Sequence, residues 1–268
     1  MTTAASTTAV STRERDGFRI EVDAQAERAD IIFDRPPLNI VTIKQREQLR
    51  LEFEDLDADD SVRVIVVRAR GDHFSSGGYI KGFIEMSPEY LSKLAENIAA
   101  PQRCGKPVIA AIHGYCFGVA FELSLACDFR IVTGSALLAL PEQRIGMIPG
   151  SGGSARLLHM IGIARTKDMI MRARRITGAE AHDWGIAIDC VQDDALAAAT
   201  DSLVAELKGF SPLAQRTIKH VLSIAQDASV HTGIELEGQA FARLRSSDDF
   251  REGAAAFHEK RKPRFTGC

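Results

Sequence analysis

Two runs of adjacent apolar residues, within VRVIVVRA (62–69) and VIAAI (108–112), constrain this chain more than any other feature. A strand with one wet face alternates polar and apolar residues; these do not, so both of their faces must be covered. Amphipathic stretches separate such runs, and strands alternating with helices specify an α/β core. FRIEV (18–22), ADIIFD (29–34), FRIVTG (129–134) and ALLAL (136–140) read as further strands, with one more at 187–191. Thr42 can cap a helix through residues 43–59, Ser87-Pro88-Glu89 opens another, and 118–127 reads as a third.

From residue 150 helices dominate. Segments 193–208, 211–226, 230–247 and 249–260 have helical periodicity and no strand signal, as expected of a helical cap or an oligomerisation arm. The expected organisation is a disordered tail at 1–16, a core at 17–200 and a helical region at 201–268.

At 268 residues the chain is long enough to bury a large core without staples. Lysine and arginine number 33 against 36 aspartates and glutamates, a net charge of −3, so the overall positive field of a nucleic-acid binder is missing. One tryptophan and three tyrosines are too few for a base-stacking platform. The five cysteines are odd in number, scattered and without zinc-ligand spacing, so they read as reduced thiols, and no metal site is expected. No apolar run approaches the roughly 20 residues of a membrane span, and the first residues lack a secretory pattern. A cytoplasmic protein without membrane association is the expectation.

Two carboxylates stand out. Between Phe117 and Cys127 only Glu122 and Ser124 are polar, so Glu122 projects from a helix that is apolar on nearly every side. Desolvation raises a carboxyl group toward the proton affinity of a general acid or base at neutral pH; a structural glutamate bound to an arginine or to backbone amides is the alternative. Glu142 follows where the apolar strand of LLALPEQRIG ends, a place where sites are often built, although a solvated loop glutamate would look the same. Two glycine-containing loops accompany them. GDHFSSGGYIKGF (71–83) can turn amides inward, and IPGSGGSARLL (148–158) precedes a helix and can present free N–H groups, although tight-turn packing explains the second loop equally well. Neither matches a phosphate-binding or dinucleotide motif. His73 and His113 flank these loops without partners at ligand spacing and read as structural.

These pieces, in this order, resemble the enoyl-CoA hydratase/isomerase (crotonase) superfamily over about 18–265. The resemblance rests on RPPLN (35–39), FSSGG (74–78), HGYCFGVAFELSLACD (113–128), PEQRIGMIPGSGGSARL (141–157) and FHEKRKPRF (257–265). It implies a crotonase-like α/β spiral of repeated ββα units with a C-terminal helical region, assembled as a homotrimer or homohexamer. It implies an acyl-CoA substrate, with coenzyme A part of that substrate and no separate cofactor. Glu122 and Glu142 align with the pair that grips the catalytic water. The amides of Ser76 and Val119 are implied as an oxyanion hole, that of Gly150 as a further hold on the water, and Lys260 as a coenzyme A contact.

Phe241 aligns with an aromatic that reaches the acyl group from a neighbouring subunit. Tyr79 stands where many relatives have aspartate, and Val119-Ala120-Phe121 replaces a glycine-rich approach to Glu122. Tyr79 and Phe121 would add bulk to the substrate pocket, which points away from straight-chain fatty substrates, and Val119 would be strained if its position required a positive φ. The implied activity is water addition or removal across an α,β double bond; an isomerase or thioester hydrolase of the same family and a non-catalytic CoA- or RNA-binding homologue are the competing readings.

Overall fold

The structure, a computed structural model, describes residues 10–268. β1 (Ser11–Arg15), β2 (Phe18–Asp23) and β3 (Arg28–Phe33) form an antiparallel meander. Chain order then begins within the region expected to be disordered, although residues 1–9 of that tail lie outside the described residues. The reason is electrostatic. Arg13 and Arg15 reach across to Glu52, a glutamate only 2% exposed, at 2.8 and 2.6 Å. A buried carboxylate requires paired charge, and this edge strand supplies it.

α1 (Ile43–Ala58) begins with a reciprocal capping box between Thr42 and Gln45, as the sequence predicts. It returns the chain to β4 (Val64–Ala69), which lies parallel to β3. Four short helices follow: α2 (Ile80–Glu85), α3 (Pro88–Ser92), α4 (Leu94–Ile98) and α5 (Ala100–Arg103). Ser87 caps α3 by accepting the Tyr90 N–H. β5 (Val108–Ile112) rejoins the sheet, β6 (Tyr115–Phe117) leaves it, and α6 (Val119–Ala126) begins one residue later. β7 (Phe129–Thr133) and β8 (Leu137–Ala139) repeat the pattern, β7 beside β5 and β8 beside β6.

α7 (Gly153–Met171), bent at Gly162, leads to β9 (Ile176–Thr177), α8 (Gly178–Asp183) and β10 (Asp189–Val191). The large sheet thus runs β1-β2-β3-β4-β5-β7-β10 and the small one β6-β8-β9. Isolated bridges Ser75↔Cys116 and Val41↔Gly78 extend the small sheet's layer. Successive strands therefore enter different sheets before each helix, a spiral of ββα units. β6 and β9, at three and two residues, are strands the sequence pattern does not reveal.

Both faces of the large sheet are covered. Ile65, Val67, Val108, Ala110 and Ile112 enter the main core, whereas Val64, Val66, Ile109 and Ala111 pack with Val204 and Leu207 of α9 (Leu196–Lys208). Each buried aliphatic side chain contributes about 1.5–3 kcal/mol. α9 therefore belongs to the core, and the outlying helical region begins after it, with α10 (Pro212–Ala225), α11 (Val230–Leu244) and α12 (Asp248–Glu259). No helix of the described residues is long and apolar enough to cross a membrane.

Candidate active site

The start of α6 is the centre of the site. Gly118 has φ +53° and ψ −129°, a conformation that the missing side chain permits, and its N–H is held by Ala139 O at 3.0 Å. The strain anticipated for Val119 therefore falls on Gly118 instead; Val119 is the first helical residue and has no positive φ. Its N–H belongs to the helix's first turn and has no acceptor among the described residues.

The FSSGG loop is tied to β6 by Ser75 N to Tyr115 O at 2.7 Å and Phe117 N to Ser75 O at 3.0 Å. A Cβ on Gly77 would come within 3.0 Å of Phe117 O, so only glycine lets the loop approach so closely. The geometry corrects one expectation here. The Ser76 N–H is already donated to Leu38 O at 2.9 Å, and its direction is fixed toward that carbonyl. Gly78, two residues on, has an amide with no acceptor among the described residues and is the free donor of this loop.

Glu122 projects from α6 three residues beyond Val119 and is 2% exposed. Its Oε1 accepts the Ser151 N–H at 2.7 Å and the Gly153 N–H at 3.0 Å. The backbone-amide alternative raised by the sequence is thus literally present, within the glycine loop that precedes α7. Burial still pushes the Glu122 pKa up, against the opposing pull of those two amides and of Arg46. Gly153 is required for the contact, since a Cβ there would lie 3.0 Å from Glu122 Cγ.

Glu142 opens a short 3-10 turn, Glu142–Ile145, just beyond β8. Its Oε1 would sit 3.1 Å from a Cβ on Gly118, so it stands directly over the start of α6. Its Oε2 is buried with no hydrogen-bond partner. Burial, reinforced by the nearby Glu122 charge, raises its pKa to about 7. The two carboxylates thus share one electrostatic environment, and both are desolvated.

The other expected residues are dispersed. The Gly150 N–H has no acceptor among the described residues, and Gly150 is exposed beside Ser151. Tyr79 precedes α2 and is half-exposed, next to Ile43 and Gly82. Phe121 is fully buried in the main core, a packing residue rather than a pocket wall, because the helix turns it away from solvent. Phe241, on α11, is 73% exposed, and Lys260 is exposed at the end of α12. A cleft of about 700 Å³ bounded by Ala126, Asp128, Ser151, Arg156 and Leu222 borders the glycine loop, and neither glutamate lines it. No group of His, Cys, Asp or Glu among the described residues is arranged to hold a metal ion.

Residue-level reading of the sequence missed Arg46, at the end of the first turn of α1. It is 4% exposed and close enough to Glu122 and Glu142 for their charges to act on it. The available signal was its phase, since Leu49, Phe53 and Leu56 share its buried helix face.

Residues 23–268 match the family model for enoyl-CoA hydratase/isomerase. The chain belongs to that family. It is 34% identical over 245 residues to a probable enoyl-CoA hydratase of Bacillus subtilis, covering 89% of this chain and 95% of the relative. It is 33% identical over 246 residues to the carnitinyl-CoA dehydratase of Proteus mirabilis, covering 89% and 94%. Among solved structures, an enoyl-CoA hydratase from Bacillus anthracis superimposes with a TM-score of 0.85 at 30% identity, over 97% of this chain and 99% of that one. The spiral architecture is thus that of the enoyl-CoA hydratase/isomerase family.

Proposed function

We propose that this family member adds water to, or removes it from, the α,β double bond of an acyl-CoA thioester. The observation that carries the reading is the pair at the start of α6: buried Glu122 and half-buried Glu142, whose Oε2 is enclosed, lie near enough for the charge of one to act on the other, beside two amides without acceptors. In hydration the thioester oxygen accepts from the Gly78 and Val119 N–H groups, which stabilise the enolate as it forms. Glu122, favoured as a carboxylate by its two amide donors, takes a proton from water as the hydroxyl attacks Cβ. Glu142, with no donor on Oε2 and a pKa of about 7, delivers its proton to Cα.

Isomerisation can proceed with one carboxylate, so the pair favours hydration. Incubating the enzyme with a panel of enoyl-CoA thioesters and weighing the products tests this: a gain of one water is expected, and double-bond migration or thioester cleavage alone would replace the reading.

Assembly as a trimer or hexamer is part of the same proposal. Val230, Ile234, Phe241 and Phe257 expose 81, 63, 73 and 81% of their surfaces along the helical region, which is consistent with cover from other copies. Light scattering coupled to size exclusion checks it, with a monomeric mass the opposing result.

A further inference from the structure

Three arginines among the described residues are buried, and two of them are fully provided for. Arg19 binds Glu21 and Asp34 at 2.7 and 2.6 Å. Arg130 donates to the carbonyls of Ile186, Ser124 and Cys127 at 2.5, 2.9 and 2.6 Å, which anchors the end of α6. Arg46 is as deeply buried as these, and its guanidinium has no hydrogen bond or ion pair with any described residue; its Nε is enclosed without a partner. A largely desolvated cation whose Nε is enclosed and whose terminal nitrogens are bonded to no side chain or carbonyl is unfavourable on its own. What surrounds it therefore matters.

The guanidinium lies over the ring of Phe83, 5.1 Å from its centroid, a contact that fixes the plane and leaves the donor edge free. One terminal nitrogen would stand 2.9 Å from a Cβ on Gly78, the residue whose free amide is proposed to hold the thioester oxygen. Glu122 and Glu142 are the charges that act on it, and no ion pair or hydrogen bond joins it to either. Burial lowers its pKa only to about 10, so it stays cationic at neutral pH. A permanent, planar and unpartnered cation thus sits beside the place where the acyl group would begin.

We propose that Arg46 is a specificity-determining residue that receives a carboxylate on the acyl chain, so that the preferred substrates are dicarboxylic enoyl-CoA thioesters. This deepens the acyl-CoA reading and rests on it. A carboxylate matches the guanidinium fork with two parallel hydrogen bonds and supplies the missing countercharge. An apolar acyl chain of the same shape would leave the cation unpaired.

The test separates recognition from chemistry. Glutaryl-CoA and 5-methylhexanoyl-CoA differ by a carboxylate in place of an isopropyl group, and neither has a double bond to hydrate. Calorimetry on the assembled enzyme is expected to show glutaryl-CoA binding at least about tenfold more tightly. Arg46→Met should erase that preference without weakening 5-methylhexanoyl-CoA, and Arg46→Lys should restore part of it.

Equal affinities in the wild type would overturn the assignment, as would an Arg46→Met variant that loses both ligands equally. The latter would make Arg46 a partner of the glutamates instead. Glutaconyl-CoA is then offered as the unsaturated counterpart. If glutaryl-CoA is preferred through Arg46 but glutaconyl-CoA gains no water, the recognition stands and the hydration reading fails.

Discussion

Glu122 Oε1 accepts the Ser151 backbone N–H at 2.7 Å, an interaction that joins α6 to the glycine loop 29 residues further along the chain. A glutamine oxygen can accept the same N–H, but glutamine cannot take a proton from water. Glu122→Gln should therefore fold normally, with a melting temperature close to that of the wild type, while kcat for enoyl-CoA hydration falls by about 10²–10⁴. Unchanged turnover in a folded variant would remove Glu122 from the chemistry.

The raised pKa of Glu142 gives the reaction an alkaline limb in its pH profile. As the acid in hydration, Glu142 must hold its proton, which it does below about 7 and not above. kcat/KM for hydration should then fall by up to tenfold per pH unit beyond that value. Hydration leaves the proton of water on Glu122 as Glu142 gives up its own, so dehydration starts from the same singly protonated pair and, because the overall equilibrium exchanges no proton, its kcat/KM must fall over the same range. Profiles measured in both directions should share that alkaline limb, and a kcat/KM that is flat through pH 7 would remove Glu142 from the acid role.

Gly118→Ala tests the backbone at the start of α6. The position has φ +53°, and the new methyl would stand 3.1 Å from Glu142 Oε1. An alanine held at φ +53° and ψ −129° costs about 1–3 kcal/mol, and relief by moving Glu142 would disturb the pair. Chemical denaturation should show a loss of that order together with a drop in kcat of at least about tenfold. A stability loss with full activity would show that Glu142 tolerates displacement.

Much of this arrangement was legible before the structure. The apolar runs at 64–67 and 108–112 demanded cover on two sides, and they have it, because a strand's side chains alternate between the main core and α9. Glu122 was conspicuous because it is the one ionisable group in a helix otherwise buried all round. Arg46 was not, since an arginine in an amphipathic helix looks solvated until its phase is compared with Leu49 and Phe53. β1 was hidden for a related reason: STRER has no apolar face, and its order depends on Glu52, 37 residues beyond Arg15. The choice between the Ser76 and Gly78 amides depends on a hydrogen bond to Leu38 that no local pattern encodes.

One of the polar contacts that join the outlying helices to the core rests on a single removable side chain. Lys219 of α10 donates to Asp128 Oδ2 at 2.6 Å and to the carbonyls of Pro101 and Lys106, each at 2.8 Å. Asp128 also accepts the Val108 N–H at 2.7 Å, so the pair connects α10, the end of α6 and the start of β5. Lys219→Met fills similar space but takes from the largely buried Asp128 the only cation bonded to its carboxylate, leaving Arg130 as a nearby charge, which costs up to about 3–5 kcal/mol.

Adding Asp128→Asn should recover much of that loss, because the uncompensated charge disappears while an acceptor for Val108 remains. Urea denaturation of the two single variants and the double variant measures the coupling. A double variant no more stable than Lys219→Met would mean that the lysine acts through the two carbonyls alone. kcat/KM of the folded Lys219→Met enzyme should stay within a few-fold of the wild type, since the catalytic end of α6 is held separately by Gly118 N on Ala139 O.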